Sequence, residues 1–185
     1  MELLNTITND ELIEKCRNGD SSAYTILYKR HSRELYNSIY RLVNNTFEAE
    51  DLLQETFVAA FQSIDKLQYT DGFKGWIKRI AINKSISLLR KRKLQFVELE
   101  IESVNFKEEE AVNETEFAFK VDDIQRAISE LPDGYRTIVQ LHLFENISHV
   151  KIGEMLGLAD TNVRIQYHRA KQRILQNLRK ERYYE

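Results

Sequence analysis

The chain has 185 residues, 42% of them hydrophobic, a formal net charge of −2, one proline, six glycines and one cysteine. That composition fills helical cores and, with so few turn-formers, excludes both a disordered chain and a turn-rich sheet protein. Cys16 has no second cysteine to pair with, no Cys/His set has zinc-ligand spacing, and no apolar run approaches the roughly 20 residues of a membrane span.

In chain order, Thr8 or Asn9 caps a short helix over Asp10 to Arg17, with Gly19 at its carboxyl end and Cys16 as a small buried apolar group. The stretch before it lacks the basic segment and apolar core of an export signal. The expectation is therefore a cytoplasmic protein with no direct membrane insertion, metal or cofactor. Asp20 caps a longer helix with the stripe Ala23, Leu27, His31, Leu35, Ile39 and Leu42, ended by Asn44-Asn45. A third helix runs from about Glu48 to Ile64 with Leu53, Phe57, Ala60, Phe61 and Ile64 inside. Asp65 to Gly72 reads as a loop. From Phe73 to Lys93 the period resumes with Trp76, Ile77, Ile80, Ala81 and Leu88 inside.

Leu94 to Phe119 shows no sustained helical stripe and reads as a linker. A second domain begins near Lys120 with Val121, Ile124, Ala127, Ile128 and Leu131 on one face, halted by Pro132. Asp133 caps a helix over Gly134 to Phe144, and Asn146 or Ser148 restarts the chain. The reading is an all-α protein of two small helical domains, 1–93 and 120–185, joined by an acidic linker, 94–119.

Charge is segregated along this plan. Lys74 to Lys93 holds eight Lys/Arg and no Asp/Glu; Leu94 to Lys120 holds eight Glu against two Lys; Thr161 to Arg182 holds seven Lys/Arg against Glu181 alone. Each block alone fits a solvated helix face, but two basic blocks around an acidic one fit contact with nucleic acid.

Three constellations carry the chemistry. HVKIGEMLGLADTNVRIQYHRAKQRILQNL has the grammar of a helix-turn-helix. Gly153 sits where the second helix passes over the first, and Gly157 sits in the turn. Ile152, Leu156, Leu158 and Val163 fill the interface, and Val163, Tyr167, Ala170, Ile174 and Leu178 form the inner stripe. That leaves Thr161, Asn162, Arg164, Ile165, Gln166, Arg169 and Arg173 to face a major groove, unless the pair is a plain helical hairpin. Around AEDLLQETF (Ala49 to Phe57), spacings of three and four put Glu48, just before the motif, Asp51 and Glu55 on one face, fit for a basic protein surface or for solvent alone. In GFKGWIKRIAINKSISLLRKRK, cations can follow a phosphate backbone, while Phe73 and Trp76 support unstacked bases, although Trp76 also fits a core. No phosphate loop and no nucleophile beside a base is present, so no enzyme and no small-molecule substrate is expected.

The segments AYTILYKRHSRELY, AEDLLQETF, FKGWIKRIAINKSISLLRKRK and LPDGYRTIVQLHLFENISHVKIGEMLGL resemble, in order, the signatures of extracytoplasmic-function (ECF) sigma factors of the sigma-70 family. The resemblance implies a specificity subunit of RNA polymerase. Its region two docks Asp51, Gln54 and Glu55, with Glu48 on the same face, on the β′ clamp helices. The same region melts the minus-ten element around Asn83, with Arg79, Lys84 and Arg90 holding phosphates. Region four, the helix-turn-helix, binds the minus-thirty-five element and the β flap, and the linker glutamates mimic nucleic-acid charge in the polymerase channels. An anti-sigma partner, membrane-linked, is implied as well. The chain departs from the family in Ser87 for aspartate, Lys151-Ile152-Gly153 for Glu-Ile-Ala, Thr161-Asn162 for Gly-Thr and Ile165-Gln166 for Ser-Arg. The last change implies an unusual minus-thirty-five sequence or weaker binding to it. Two other readings are a sigma-like protein that binds polymerase without reading promoters and a stand-alone helix-turn-helix regulator.

Overall fold

Side-chain caps divide the first half of the chain into helices. The computed structural model describes residues 7–67, 72–92 and 120–182, which are helix and connecting turn with no strand among them. In α1 (Asn9–Arg17) the cap is Thr8: its hydroxyl accepts the Glu11 N–H at 3.2 Å and the Glu11 carboxylate accepts the Thr8 N–H at 3.0 Å. Gly19, at φ +81, turns the chain, and Asp20 starts α2 (Ser21–Val43) by accepting the Ser22 N–H at 2.9 Å. Asn44 stops α2 in the left-handed region at φ 51, and Asn45 caps α3 (Thr46–Gln62), which begins two residues earlier than the periodicity predicts. A single 3-10 turn follows over Ile64–Lys66. Arg17 ties it to α1 by donating to the Leu67 carbonyl at 2.5 Å.

All six stripe residues of α2, His31 included, are buried, and so is the Cys16 thiol, pushed up to about 11 by burial and the nearby Asp20 charge. A thiol so poised is inert. The helix α4 (Phe73–Lys91) departs from the expected stripe. It packs against both α2 and α3, so Phe73, Ile77, Ala81, Ile82, Ser85, Ile86 and Leu89 are buried, while Trp76, Ile80 and Leu88 are only half covered. A helix wedged between two neighbours buries a wider arc than one stripe. The polar groups in that arc are satisfied locally: Ser85 donates to the Ala81 carbonyl at 2.9 Å, and Thr56 of α3 to that of Leu52 at 2.6 Å.

The second unit comprises α5 (Val121–Ser129), α6 (Asp133–Val139) continued by a π turn over Gln140–Phe144, α7 (His149–Leu156) and α8 (Asp160–Arg182). Val121, expected inside, is 68% exposed. Asp133 is not the cap of α6. Pro132 occupies that position, and Asp133 is the first helical residue, paired with the buried Arg136. Arg136 also donates to the carbonyls of Leu131 at 2.8 Å and Ser129 at 3.3 Å, and so ties the end of α5 to α6. Of the two candidates for restarting the chain, Ser148 caps α7 and Asn146 turns it at φ 53. The proposed linker, 94–119, and residues 68–71 of the expected loop lie outside the described residues.

Gly157 takes φ +72 in the turn between α7 and α8, as a glycine there should. Gly153 is needed for a different reason than expected. A Cβ there would stand 2.6 Å from the Leu158 carbonyl oxygen, and the Leu158 N–H donates to Gly153's own carbonyl at 2.9 Å. The turn, rather than the crossing helix, closes on this position. Gly153→Ala, which restores the residue usual in the family, is therefore expected to destabilise the second unit by about 1–3 kcal/mol. Urea unfolding followed by helical circular dichroism measures it.

His31 lies against Phe73 with ring centroids 5.4 Å apart, and its Nε2 has no hydrogen-bond partner among the described residues. Burial, reinforced by Arg30 and Lys74 and partly opposed by Glu34, holds its pKa below the ordinary 6.5. Below that pH the unfolded chain takes up a proton that the folded one refuses, so this group removes stability as pH falls below 6.5 and contributes nothing above it. His31→Leu is expected to flatten the loss of thermal stability between pH 7 and 5; an unchanged slope contradicts the assignment.

Candidate nucleic-acid interface

The first unit carries two faces of opposite charge on one pair of helices. On α3, Asp51, Gln54 and Glu55 are exposed and line an open groove with Val58, Ala59, Gln62 and, from α4, Lys84. The Lys84 ammonium sits 2.8 Å from the Glu55 carboxylate. With the partners 31% and 61% exposed, such a pair stabilises by only about 0–1 kcal/mol and opens at little cost. Glu48 is set apart from the other three: it is half-buried and ion-paired with Arg92, at the other end of the α3–α4 seam. The sequence therefore grouped four residues of which the structure gathers three.

The outer face of α4 is basic. Arg79, Asn83 and Arg90, at offsets of four and seven, share it and are exposed. Trp76 is half-buried at its edge, 6.0 Å from the Phe73 ring. Two expected members of this face are corrected. Phe73 is wholly buried against His31 and supports no base, because the first turn of α4 is where the helix enters the core. Lys84 turns toward α3 and Glu55, away from the Arg79 face.

In the second unit α8 meets α7 as well as α5 and α6, so its buried arc is broad. Val163, Ala170 and Leu178 lie inside as the stripe predicts, and Tyr167 and Ile174 are partly covered. Ile165 and Gln166 are buried too, at 5% and 2% exposure, which corrects the expectation that their side chains reach a groove. Thr161 and Arg164 are exposed and Asn162 and Arg169 half-exposed. Arg173 is exposed but bent back, its guanidinium 5.1 Å from the centre of the Tyr135 ring.

Sequence reasoning missed the rings that join the π turn to the helix-turn-helix. His142 and His149 have centroids 4.2 Å apart, and both lie about one ring from Tyr167, at 4.9 and 5.0 Å. His142 is anchored through Nδ1 to the Ile147 carbonyl at 2.9 Å. Burial and the neighbouring His142 and Arg164 keep the His149 imidazole below its ordinary pKa, Asp160 opposing. A histidine spacing of seven across a turn carries no periodic signal. Among the described residues no three His, Cys, Asp or Glu side chains gather as a metal site.

The model for Sigma-70 region 2 matches residues 27–95 and that for Sigma-70 region 4 matches residues 122–174. The ECF RNA polymerase sigma factor SigW of Bacillus subtilis is 29% identical over 180 residues, covering 90% of this chain and 95% of its own. The ECF RNA polymerase sigma factor SigE of Mycolicibacterium smegmatis is 32% identical over 171 residues, covering 88% of this chain and 65% of its own. Among solved structures, the sigma factor RpoE from Bartonella quintana, in complex with the anti-sigma factor NepR, superposes with a TM-score of 0.52 at 22% identity. It covers 84% of this chain and 96% of that one, a likeness of fold. With both regions matched in order on two helical units, the second of them a helix-turn-helix, this chain belongs to the sigma-70 family, as a transcription initiation factor of the extracytoplasmic-function group.

Proposed function

We propose that the two faces of the first unit divide the labour of initiation. The acidic groove of Asp51, Gln54 and Glu55 receives the clamp helices of the polymerase β′ subunit. The outer face of α4 receives the non-template strand of the minus-ten element, with Asn83 at a base and Arg79 and Arg90 at phosphates. The single observation that carries this reading is the separation of charge across the α3–α4 pair: the carboxylates line one groove, and Arg79, Asn83 and Arg90 share another exposed face. A protein surface and a polyanion can then be held at once without competing for the same side chains.

In the second unit, Thr161, Asn162, Arg164 and Arg169 at the amino-terminal half of α8 meet the minus-thirty-five duplex, since a recognition helix reads base edges with its first turns. The β flap is the protein partner of this unit. The burial of Ile165 and Gln166 supports a minus-thirty-five sequence unlike that of factors carrying Ser-Arg there. The chain performs no catalysis of its own, acts in the cytoplasm and is held inactive by an anti-sigma partner, the kind of partner named for the Bartonella quintana structure. None of the described helices is long and apolar enough to cross a membrane.

Purified core polymerase, given this chain and a library of upstream regions, is expected to yield transcripts from a small promoter set that are absent without the chain; the same transcripts from core alone contradict the function. On a pre-melted minus-ten fork, each lost phosphate contact lowers the slope of log K against log salt by about 0.7. Arg79→Ala combined with Arg90→Ala is expected to lower it by about 1.4 in filter-binding titrations with the holoenzyme. Asn83→Ala leaves the slope alone and weakens the preference for the captured base.

A further inference from the structure

Gln166 is the most deeply buried polar side chain of α8, at 2% exposure, and it lies one turn from the half-exposed Asn162. Its Nε2 donates to Asn162 Oδ1 at 2.8 Å. A buried amide costs free energy unless it is paired, so this bond fixes both partners. It also has a direction. With its oxygen engaged by Gln166, the half-exposed Asn162 has its Nδ2 amino group left to offer a partner.

We propose that Gln166 is a positioning residue that never touches DNA: it holds Asn162 with its donor edge outward, so that α8 reads a base whose major-groove edge accepts hydrogen bonds. This rests on the proposed role of α8 at the minus-thirty-five element and goes beyond it by naming the bases. Guanine offers N7 and O6 side by side, and thymine offers O4; adenine's one acceptor, N7, stands beside an amino donor that an outward amino group cannot satisfy, and cytosine presents an amino donor. An asparagine free to turn pairs best with adenine, through its oxygen and its amino group together. Here the oxygen is already engaged, and the selected base is guanine or thymine.

The test is transcription by core polymerase and the full chain from a promoter library randomised through the minus-thirty-five element, read by sequencing the transcripts. Wild type is expected to favour guanine or thymine by roughly tenfold at one position, and Asn162→Ala to flatten that position alone. Gln166→Leu frees the Asn162 carboxamide to turn and is expected to move the preference at the same position to adenine, a preference lost again when Asn162→Ala is added. Gln166→Glu supplies only an acceptor, takes the Asn162 amino group inward and turns its oxygen out. The preference at that position is then expected to move to adenine or cytosine. A general loss of packing would lower transcription across the library without moving one position's base preference. A Gln166→Leu protein that folds and keeps the preference, a Gln166→Glu protein that keeps guanine or thymine, or a wild type that favours adenine or cytosine overturns the inference. If the leucine variant does not fold, the glutamate variant decides. Wild type giving promoter-dependent transcripts with no preference at any Asn162-sensitive position overturns this inference alone; wild type giving none at all overturns the proposed function with it.

Discussion

The fold of the first unit depends on α4 being buried on two sides. Phe73, Ile77, Ala81 and Leu89 are fully covered between α2 and α3, and burial of a side chain the size of Phe73 contributes about 1.5–3 kcal/mol. The exposed ion pair between Lys84 and Glu55 contributes far less. Packing, not charge, therefore sets the position of α4 against α3. The charged groups are left free of any structural duty, because opening Lys84–Glu55 leaves the core untouched, as the proposed docking of a polymerase helix requires. Only one arc of α4 remains for solvent, and Arg79, Asn83 and Arg90 lie there.

The second unit meets the same requirement by other means. Its recognition helix is held by the closure of Leu158 over Gly153 at one end and by contacts with α5 and α6 along its length. The buried Arg136 satisfies two carbonyls at the end of α5, and Tyr167 meets the two histidines that join the π turn to α7. Burial of α8 on more than one side takes Ile165 and Gln166 out of reach of DNA. On the proposed reading, the helix is left with few side chains for base contact, and the orientation of each one matters more.

Much of this was legible in the sequence. The α2 stripe follows the 3.6 period with every member buried, because that helix turns one continuous face to its neighbours. Asp20 stands where its side-chain oxygen is needed to start that helix, and the four family signatures carried the functional class. Periodicity was incomplete on α4 and α8, since an inner stripe drawn for one neighbour leaves out what a second neighbour covers. Ile165 and Gln166 were misplaced for this reason, whereas Phe73, in register with Ile77 and Ala81, was assigned to bases by its ring rather than by its place on the stripe. Lys84 was assigned by its sign, whereas its direction depends on α3, which sequence spacing within α4 does not contain. Arg136 and the His142–His149–Tyr167 contact are tertiary pairings with no local pattern.

The central claim is that one helical pair separates a protein-binding groove from a DNA-binding face. Equilibrium binding of core polymerase to fluorescently labelled full-length chain, in the absence of DNA, tests it most directly when Asp51→Lys and Arg79→Glu are compared. The account predicts that Asp51→Lys weakens polymerase binding at least tenfold, by about 1.4 kcal/mol or more, while Arg79→Glu leaves it within about twofold. Equal losses in both variants, or a larger loss with Arg79→Glu, would contradict the separation of the two faces.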